Sequence, residues 1–345
     1  MDMPTAIARV IAQQDLSRDE MLDVMRLIMA GDATDAQIGG FLVGLRMKGE
    51  TVDELIAAAT VMRELATPVN VDTANLVDTC GTGGSGSNKF NVSTASAFVA
   101  AAAGARVAKH GNRGASSKSG SADVLEAAGA VIMLSADQVA SCIDVTRVGF
   151  LFALNHHSAM RHAIGPRKEM IVRTVFNLLG PLTNPALAKR QLLGVYDKQW
   201  VRPVAEVLRS LGSEHVMVVH SADGLDEISI SAPTHVAELK SGNISEYDIS
   251  PEDFGLQKSP LAELVIENSD ESLLLVQQSL QGSHSGAANI VSINAGAAIY
   301  VAGLCNSLEA GVEMAQDAVG AGLAMEKMKE FADFTRRLAD SVETT

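Results

Sequence analysis

The sequence predicts an α/β protein in which a small N-terminal helical domain precedes a larger α/β domain with a mainly parallel central sheet. Helix-capping signals recur in the first 66 residues, and short β-like runs alternate with helical segments from Asn75 onward. The chain has 345 residues, 47% of them hydrophobic, which is enough for two cores of unequal size. We expect residues 1–70 to form the helical domain, joined by helices from about 168–190, and residues 71–345 to form the α/β domain.

Three capping boxes predict the N-terminal helices: Ser17–Glu20, Thr34–Gln37 and Thr51–Glu54. In each box the first hydroxyl and the later Glu or Gln side chain satisfy each other's backbone N–H groups. Apolar residues follow every box at helical spacing, and Gly31 and Gly49 fall where helices end. A fourth box, Ser135–Gln138, predicts a further helix in the larger domain.

Short β-like runs predict the sheet. They are Leu76–Cys80, Arg106–Lys109, Val131–Leu134, Leu192–Val195 and His215–His220. Loops and helices follow them, including a helix over Asn91–Ala103, and this alternation is typical of a parallel sheet with helices on its faces. Ser229–Leu239 alternates more strictly and predicts a hairpin, while Ser307–Val342 is expected to be helical.

Composition and charge argue against two kinds of partner. A formal net charge of -14 opposes nucleic acid or an anionic membrane surface as the main partner.

The N-terminus has no basic segment before an apolar core, and Ala95–Ala108, taken as the longest apolar tract, is too short and interrupted to span a bilayer. Cys80, Cys142 and Cys305 form no CxxC pair, which indicates free thiols. We expect a soluble, cytoplasmic protein.

The stretch Asp78–Asp123 carries the strongest functional signal. Two clusters rich in glycine and hydroxyl groups flank a helix of small residues, and five Lys or Arg residues stand against two acids. Glycines let backbone N–H groups approach an anion, and a helix N-terminus adds partial positive charge. The first loop, Gly81–Asn88, is neither a Walker A loop nor a dinucleotide fingerprint, so alone it could equally be a surface turn. The second loop, Lys109–Ser117, favours a phosphate site.

Together, DTCGTGG…NVST and KHGNRGASSKSGSAD resemble the signature of the anthranilate phosphoribosyltransferases. The similarity extends to His156–Ala186 and to AQIGGFLVGLRMKGET, and covers nearly the whole chain. It implies the fold of the pyrimidine nucleoside phosphorylases. It also implies transfer of phosphoribose from 5-phosphoribosyl 1-diphosphate to the amine of anthranilate, in tryptophan synthesis. Magnesium as a cofactor and a homodimer formed through the helical domain are further implications.

The resemblance also assigns residue roles. Donor-binding residues are expected at Gly81, Gly84, Ser85, Lys89, Asn91, Val92, Ser93, Thr94, Lys109, His110, Gly111, Asn112, Arg113, Gly114, Ala115, Ser116, Ser117 and Ser121. Gly81, Asn112 and Arg167 are expected to contact anthranilate, and Ser93, Asp226 and Glu227 to bind Mg²⁺. No catalytic residue is assigned, because positioning the substrates and stabilising the departing diphosphate are sufficient for this reaction. Without the resemblance, Arg167 could be a surface arginine and Asp226–Glu227 a solvated acidic turn.

The first loop departs from the family pattern, which usually reads GTGGDG with a threonine four residues after the aspartate. Ser85 and Lys89 stand at these positions. The change predicts tighter donor binding or a weaker dependence on a loop-bound metal. Leu154, Ser158 and Gly165 stand where the family commonly has proline, near the expected acceptor tunnel.

Two alternative functions remain open from the sequence. A pyrimidine nucleoside phosphorylase would share the fold, but such enzymes carry a KHSTGG-type loop near the first strand, where this chain has GTGG. A non-enzymatic nucleic-acid-binding relative would need a basic groove, which the net charge of -14 and the Asp226–Glu227 pair oppose.

Overall fold

The computed structural model describes residues 1–84, 86–114 and 117–343. Its α-helices are α1 (Met3–Ile11), α2 (Arg18–Ala30), α3 (Asp35–Lys48), α4 (Val52–Glu64), α5 (Val92–Ala102), α6 (Ser121–Ala127), α7 (Ala136–Thr146), α8 (Ala153–His156), α9 (Arg161–Met170), α10 (Val175–Leu179), α11 (Val201–Ser210), α12 (Ser269–Leu280), α13 (Ser285–Ala302), α14 (Leu308–Gly320) and α15 (Leu323–Glu343). Its strands are β1 (Leu76–Gly81), β2 (Arg106–Gly111), β3 (Val148–Phe152), β4 (Arg190–Gly194), β5 (His215–Ser221), β6 (Thr234–Lys240) and β7 (Asn243–Ile249).

The strands form one mixed sheet with the order β3-β2-β1-β4-β5-β6-β7. The first five strands in this order, β3, β2, β1, β4 and β5, pair in parallel. Strands β6 and β7 are added antiparallel at one edge. This confirms the predicted mainly parallel sheet. Because β2 and β4 lie on opposite sides of β1, their connections diverge and leave a crevice at the carboxyl ends of the strands. Gly81, Gly111 and Gly194 end these three strands, so the two glycine loops open at that crevice.

Two apolar clusters pack against the sheet. One contains the buried residues of α5, α13 and the C-terminal helices, and the other contains α1 to α4, α10 and α11. Among the described helices, α13 is long and apolar enough to cross a membrane, but 78% of it is buried inside the protein. Gly296 lets α13 approach α14 closely, since a Cβ there would lie 2.6 Å from the backbone of Val312. The apolar character of α13 is therefore explained by packing within the core.

The N-terminal helices form as the capping signals predict. The boxes at Ser17, Thr34 and Thr51 all close in the structure, and Gly31 ends α2 with a φ of 83°. Helices α9 and α10 pack against this group, contacting α2, α3 and α4. The division of the chain into domains at residue 70 stays a prediction.

Two predictions about the sheet were wrong, and one strand was not predicted. Val131–Leu134 is not a strand but part of the connection between α6 and α7, without regular secondary structure. Strand β3 was missed, because its fully buried run VGFLF has no alternation that separates a strand from a buried helix. The hairpin lies at β6–β7 instead of Ser229–Leu239, and it turns at Ser241 and Gly242, both with positive φ, as in a two-residue hairpin turn.

Candidate functional site

A cleft of about 410 Å³ lies where the two glycine loops, α9 and α10 meet. Most residues predicted for the site line it: Gly81, Gly84, Lys89, Asn91, Val92, Ser93, Lys109, His110, Gly111, Asn112, Arg113, Gly114, Ser117, Ser121, Arg167, Asp226 and Glu227. Thr94 does not line the cleft, and its hydroxyl donates to Ser121 Oγ at 3.1 Å. Ser85, Ala115 and Ser116 lie outside the described residues. Residues more than 140 positions apart in the chain thus share one cleft.

The first loop is held against the acidic pair. Gly83 N–H donates to Asp226 Oδ2 at 3.0 Å, and Lys89 Nζ donates to Asp226 Oδ1 at 2.7 Å. A Cβ at Gly81 would lie 2.9 Å from Asp226 Oδ2, so a larger residue here would displace that carboxylate. Burial lowers the pKa of Lys89, but the attraction of Asp226 and Glu227 outweighs it and raises the pKa. Lys89 therefore carries its charge beside the acids.

Lys109 of the second loop is buried, with only 3% of the residue exposed. Its ammonium donates to the carbonyl of Thr79 at 2.6 Å and to Ser93 Oγ at 3.1 Å. Burial lowers its pKa, and the charge of buried Asp78 opposes that shift. The lysine is thereby fixed next to the N-terminus of α5, where the helix adds partial positive charge for an anion.

Asp78 is a structural anchor that the sequence did not single out. Its carboxylate accepts the backbone N–H of His110 at 3.1 Å and the side-chain amide of Asn184 at 2.8 Å. Asn184 also donates to the carbonyl of Ala108 at 2.8 Å. Asp78 therefore connects β1, β2 and the segment after α10 beneath the cleft.

Asp123 holds the second loop in shape. Its Oδ2 accepts N–H groups from Gly114 at 2.9 Å and Gly120 at 2.8 Å. Gly120 has to be glycine, because a Cβ would lie 2.2 Å from the nitrogen of Gly114. Arg113 forms ion pairs with Asp123 and Glu126, so its charge is already partnered within the protein.

Asn91 joins the two loops to a third element. Its side-chain oxygen accepts the hydroxyls of Ser119 at 2.9 Å and Ser272 at 2.6 Å, and its backbone N–H donates to Ser272 at 3.1 Å. The Asn91 side chain is therefore used to position the loops. Ser272 belongs to α12, and no sequence motif indicated its contribution.

The turn that carries Asp226 and Glu227 is fixed by Asp223, which sequence reasoning also missed. Asp223 accepts hydroxyl groups from Ser221, Ser229 and Ser231. The alternating serines that suggested a hairpin at 229–239 thus serve this turn. Gly194 lies under it, since a Cβ at Gly194 would come 1.7 Å from the carbonyl oxygen of Asp226.

The donor set at the acid pair suits a hard cation. Glu227 is buried, and burial together with the neighbouring charge of Asp226 raises the pKa of its carboxyl group against the attraction of Lys89. The backbone N–H of Ser93 bonds to that carboxyl group. Carboxylate and hydroxyl oxygens on one wall of a cleft are the ligands that Mg²⁺ takes from proteins, with water completing the shell. The residues present therefore fit magnesium.

The lining of the cleft also combines a cation with aromatic and imidazole rings. The Arg167 guanidinium lies 5.2 Å from the centre of the Phe176 ring, and no hydrogen bond to the described residues engages it. His110 and His157 have ring centres 5.1 Å apart, and Nε2 of each has no partner. Burial lowers the pKa of His110 well below its usual value and that of His157 to about 4. Arg167 is thus the charged group at a wall of otherwise neutral rings.

Arg173 is a further contact that the sequence did not predict. It follows Ile171, whose φ of 52° is unusual for a β-branched residue. Its guanidinium stacks over the ring of Tyr196 at 4.5 Å and donates to the carbonyl of Gly84. The backbone N–H of Tyr196 in turn donates to Thr82 Oγ1 at 3.0 Å. Arg173 and Tyr196 therefore hold the first loop from the side of the helices.

Comparison with protein families gives two matches that divide the chain. Residues 4–66 match the helical bundle domain of a glycosyl transferase family, and residues 73–325 match its a/b domain. These matches, together with the fold and the cleft, place the chain among the glycosyltransferases. Anthranilate phosphoribosyltransferase of Cellvibrio japonicus is 61% identical over 343 residues, covering 98% of this chain and 100% of that protein. The enzyme of the same name from Marinomonas is 61% identical over 338 residues, 97% of this chain and 98% of that protein.

The chain belongs to the anthranilate phosphoribosyltransferase family. The crystal structure of the Thermus thermophilus member agrees, with a TM-score of 0.90, 41% identity and coverage of 96% of this chain and 99% of that one. Anthranilate phosphoribosyltransferase from Saccharomyces cerevisiae in complex with PRPP and Mg shares the fold, with a TM-score of 0.88, 24% identity and coverage of 97% and 98%. Neither a nucleoside phosphorylase nor a nucleic-acid-binding relative is favoured by these comparisons.

Proposed function

We propose that this protein transfers the phosphoribosyl group of 5-phosphoribosyl 1-diphosphate to the amine of anthranilate, an early step of tryptophan synthesis. The observation that carries the proposal is the composition of the cleft between the two glycine loops, α9 and α10. Its lining offers glycine N–H groups, a helix N-terminus and Lys109 for phosphates, together with Arg167 beside aromatic and neutral imidazole rings. An anionic donor and an aromatic carboxylate could therefore be held in the same cleft.

The reaction requires the amine to attack C1′ of the donor as diphosphate leaves. The chain contributes by orienting both substrates and by presenting N–H donors and cations where charge develops on the leaving group. The ammonium of Lys109 is held beside the N-terminus of α5 by its hydrogen bonds to the Thr79 carbonyl and to Ser93 Oγ. The anilinium product is acidic enough to lose its proton to water, so no side chain is assigned as a base.

Ser93, Asp226 and Glu227 are proposed to hold magnesium. The support is the set of oxygen ligands on one wall of the cleft. A bound Mg²⁺ would neutralise charge on the diphosphate and so improve it as a leaving group. The acids themselves are kept in position by Asp223 and Gly83.

The activity is tested by following the loss of anthranilate fluorescence on mixing with donor, Mg²⁺ and the protein. Consumption that requires the donor and yields diphosphate is the expected result. No consumption at micromolar protein would contradict the proposal.

Arg167 is proposed to bind the anthranilate carboxylate, since guanidinium can form two parallel hydrogen bonds to it. We expect Arg167→Ala to raise the KM for anthranilate by on the order of tenfold or more and to leave the KM for the donor nearly unchanged. Lys168→Ala is the matched control, because Lys168 is exposed on the same helix and does not line the cleft. An equal effect of Arg167→Ala on both KM values would show that the assignment is wrong.

A homodimer is proposed to form through the N-terminal helices. Ile11, Val43 and Met47 of the α1–α3 region expose apolar side chains, with Met47 76% exposed. Light scattering should give twice the mass of one chain, and Met47→Glu should shift the protein towards the monomer. Met133→Glu, at a similarly exposed methionine of the α/β part, should leave the mass unchanged.

The free cysteines favour a reducing compartment, and we propose the cytoplasm.

A further inference from the structure

Lys89 is paired with one of the two acids that the proposed function assigns to magnesium. Its Nζ lies 2.7 Å from Asp226 Oδ1, and the two side chains are only 13% and 7% exposed. The second oxygen of Asp226 accepts the N–H of Gly83 at 3.0 Å. Both oxygens of this carboxylate therefore have partners from the first loop.

The backbone around Lys89 is fixed as well. Phe90 N–H donates to the carbonyl of Leu264 at 3.0 Å, and Ile266 N–H donates to the carbonyl of Asn88 at 2.9 Å. Lys89 sits between these bonds, in an antiparallel bridge with Val265. Its side chain thus extends from an ordered segment towards the acids, instead of sampling solvent from a free loop.

Charge balance gives the pairing a consequence for cations. Asp226 and Glu227 together can carry two negative charges, and the ammonium of Lys89 already offsets one of them. A divalent cation that approached Asp226 would meet a positive charge at hydrogen-bond distance from the same oxygen. Like charges so close repel strongly where the side chains are largely buried, as these two are.

We infer that Lys89 is the resident cation of the acid pair and that it competes with the divalent metal for Asp226. This inference rests on the proposed function, because it takes Asp226 and Glu227 as the metal ligands. Metal binding then requires the ammonium to leave Asp226, and the affinity of the substrate-free protein for a divalent cation is lower than the two acids alone would give. The positive charge of Lys89 thus weakens metal binding to the substrate-free protein, whatever contact Lys89 makes with the donor.

The test measures Mn²⁺ binding to the substrate-free full chain by electron paramagnetic resonance. Replacing Lys89 by methionine keeps the bulk of the side chain and removes its charge. We expect Lys89→Met to bind Mn²⁺ more tightly than the parent, by on the order of tenfold or more. Mn²⁺ should also raise the Tm of Lys89→Met more than the Tm of the parent, since binding to the folded state stabilises it.

Two further variants separate the possible outcomes. Lys189→Met removes the same charge from an exposed pair with Glu214 and should leave Mn²⁺ binding unchanged. Asp226→Asn should weaken Mn²⁺ binding; if it does not, the proposed metal site itself is wrong. If Asp226→Asn weakens binding but Lys89→Met and the parent bind Mn²⁺ equally, the competition by Lys89 is overturned. It is overturned as well if Lys89→Met binds no detectable Mn²⁺. Lys89→Gln serves in the same comparison if Lys89→Met does not fold.

Discussion

The buried imidazole of His157 makes stability depend on pH in a defined direction. Burial, with the charge of His156 added, lowers its pKa to about 4, and the hydrogen bond to the carbonyl of Thr183 offsets only part of this. The unfolded chain binds a proton at this histidine below about pH 6.5, whereas the folded protein binds it only below about pH 4. The contribution to stability is therefore complete above pH 6.5 and is lost as the pH falls from 6.5 to 4.

The size of the effect follows from the two pKa values. The interval between 6.5 and about 4 corresponds to about 3 kcal/mol in the free energy of unfolding. At pH 5.0 the histidine is largely protonated in the unfolded chain and largely neutral in the folded protein. About 2 kcal/mol of the contribution should therefore already be lost at that pH.

Urea denaturation of the parent and of His157→Gln at pH 7.5 and 5.0 checks this expectation. The parent should lose about 2 kcal/mol more than the variant between the two pH values, because the other titrating groups are shared. An NMR titration of the imidazole signals, with His157→Gln used for assignment, should give a midpoint near pH 4 for His157. Equal pH dependence in both proteins, or a midpoint above pH 6, would refute the reasoning.

Three other changes probe the supports of the site and sheet. Arg173→Lys removes the stacking on Tyr196 that holds the first loop. Steady-state kinetics should therefore give a donor KM raised roughly threefold to tenfold and an unchanged anthranilate KM. Equal changes in both KM values would contradict a role for Arg173 in holding the first loop. Glu238 is buried, yet hydrogen bonds from His215, Tyr247 and Tyr300 lower its pKa to about 2, so urea unfolding of Glu238→Gln at pH 7 should be easier by about 3 kcal/mol. That difference should shrink as the pH falls from about 4.5 towards 2, and a constant difference would argue against the charge. Gly194→Ala should displace Asp226, weaken Mn²⁺ binding and destabilise the fold by about 1–3 kcal/mol. In the control Gly320→Ala the new Cβ meets no atom within 4 Å, so Mn²⁺ binding and stability should stay unchanged. Equal behaviour of the two variants would contradict this expectation.

The sequence predicts well where local physics decides the structure. Capping boxes at Ser17, Thr34 and Thr51 depend on hydrogen bonds within four residues, and all three form. The strand ending at Gly81 and the helix beginning at Val92 were also close to their actual bounds. Strand β3 could not be predicted, because a short buried apolar run has the same pattern in a strand and in a helix.

The candidate site was predictable only in part, for a related reason. The glycine loops have a composition that indicates an anion site whatever their partners are. The pairing of Lys89 with Asp226 joins residues 137 positions apart, and no local pattern reports it. Because Lys89 stands where the family usually has threonine, the sequence suggested an added positive charge that binds the donor. In the structure that charge faces the carboxylate of Asp226. Asp223 and Ser272 gave no signal at all, because their role is defined only by groups brought near by folding.

The net negative charge of the chain is compatible with an anion-binding cleft, because three aspartates accept hydrogen bonds that hold the loops and lie outside the cleft lining. Asp78 accepts N–H groups under the cleft, Asp123 closes the second loop, and Asp223 gathers three serine hydroxyls behind the acid turn. Each of these carboxylates fixes a loop by accepting hydrogen bonds, and none of the three lines the cleft. Lys109 and the N-terminus of α5 can therefore face the cleft while the negative charge of these three acids lies behind them, and Asp226 and Glu227 are the acids that line it. A net charge of -14 describes the whole chain, whereas the field in the cleft depends on which charged groups line it and which lie behind it.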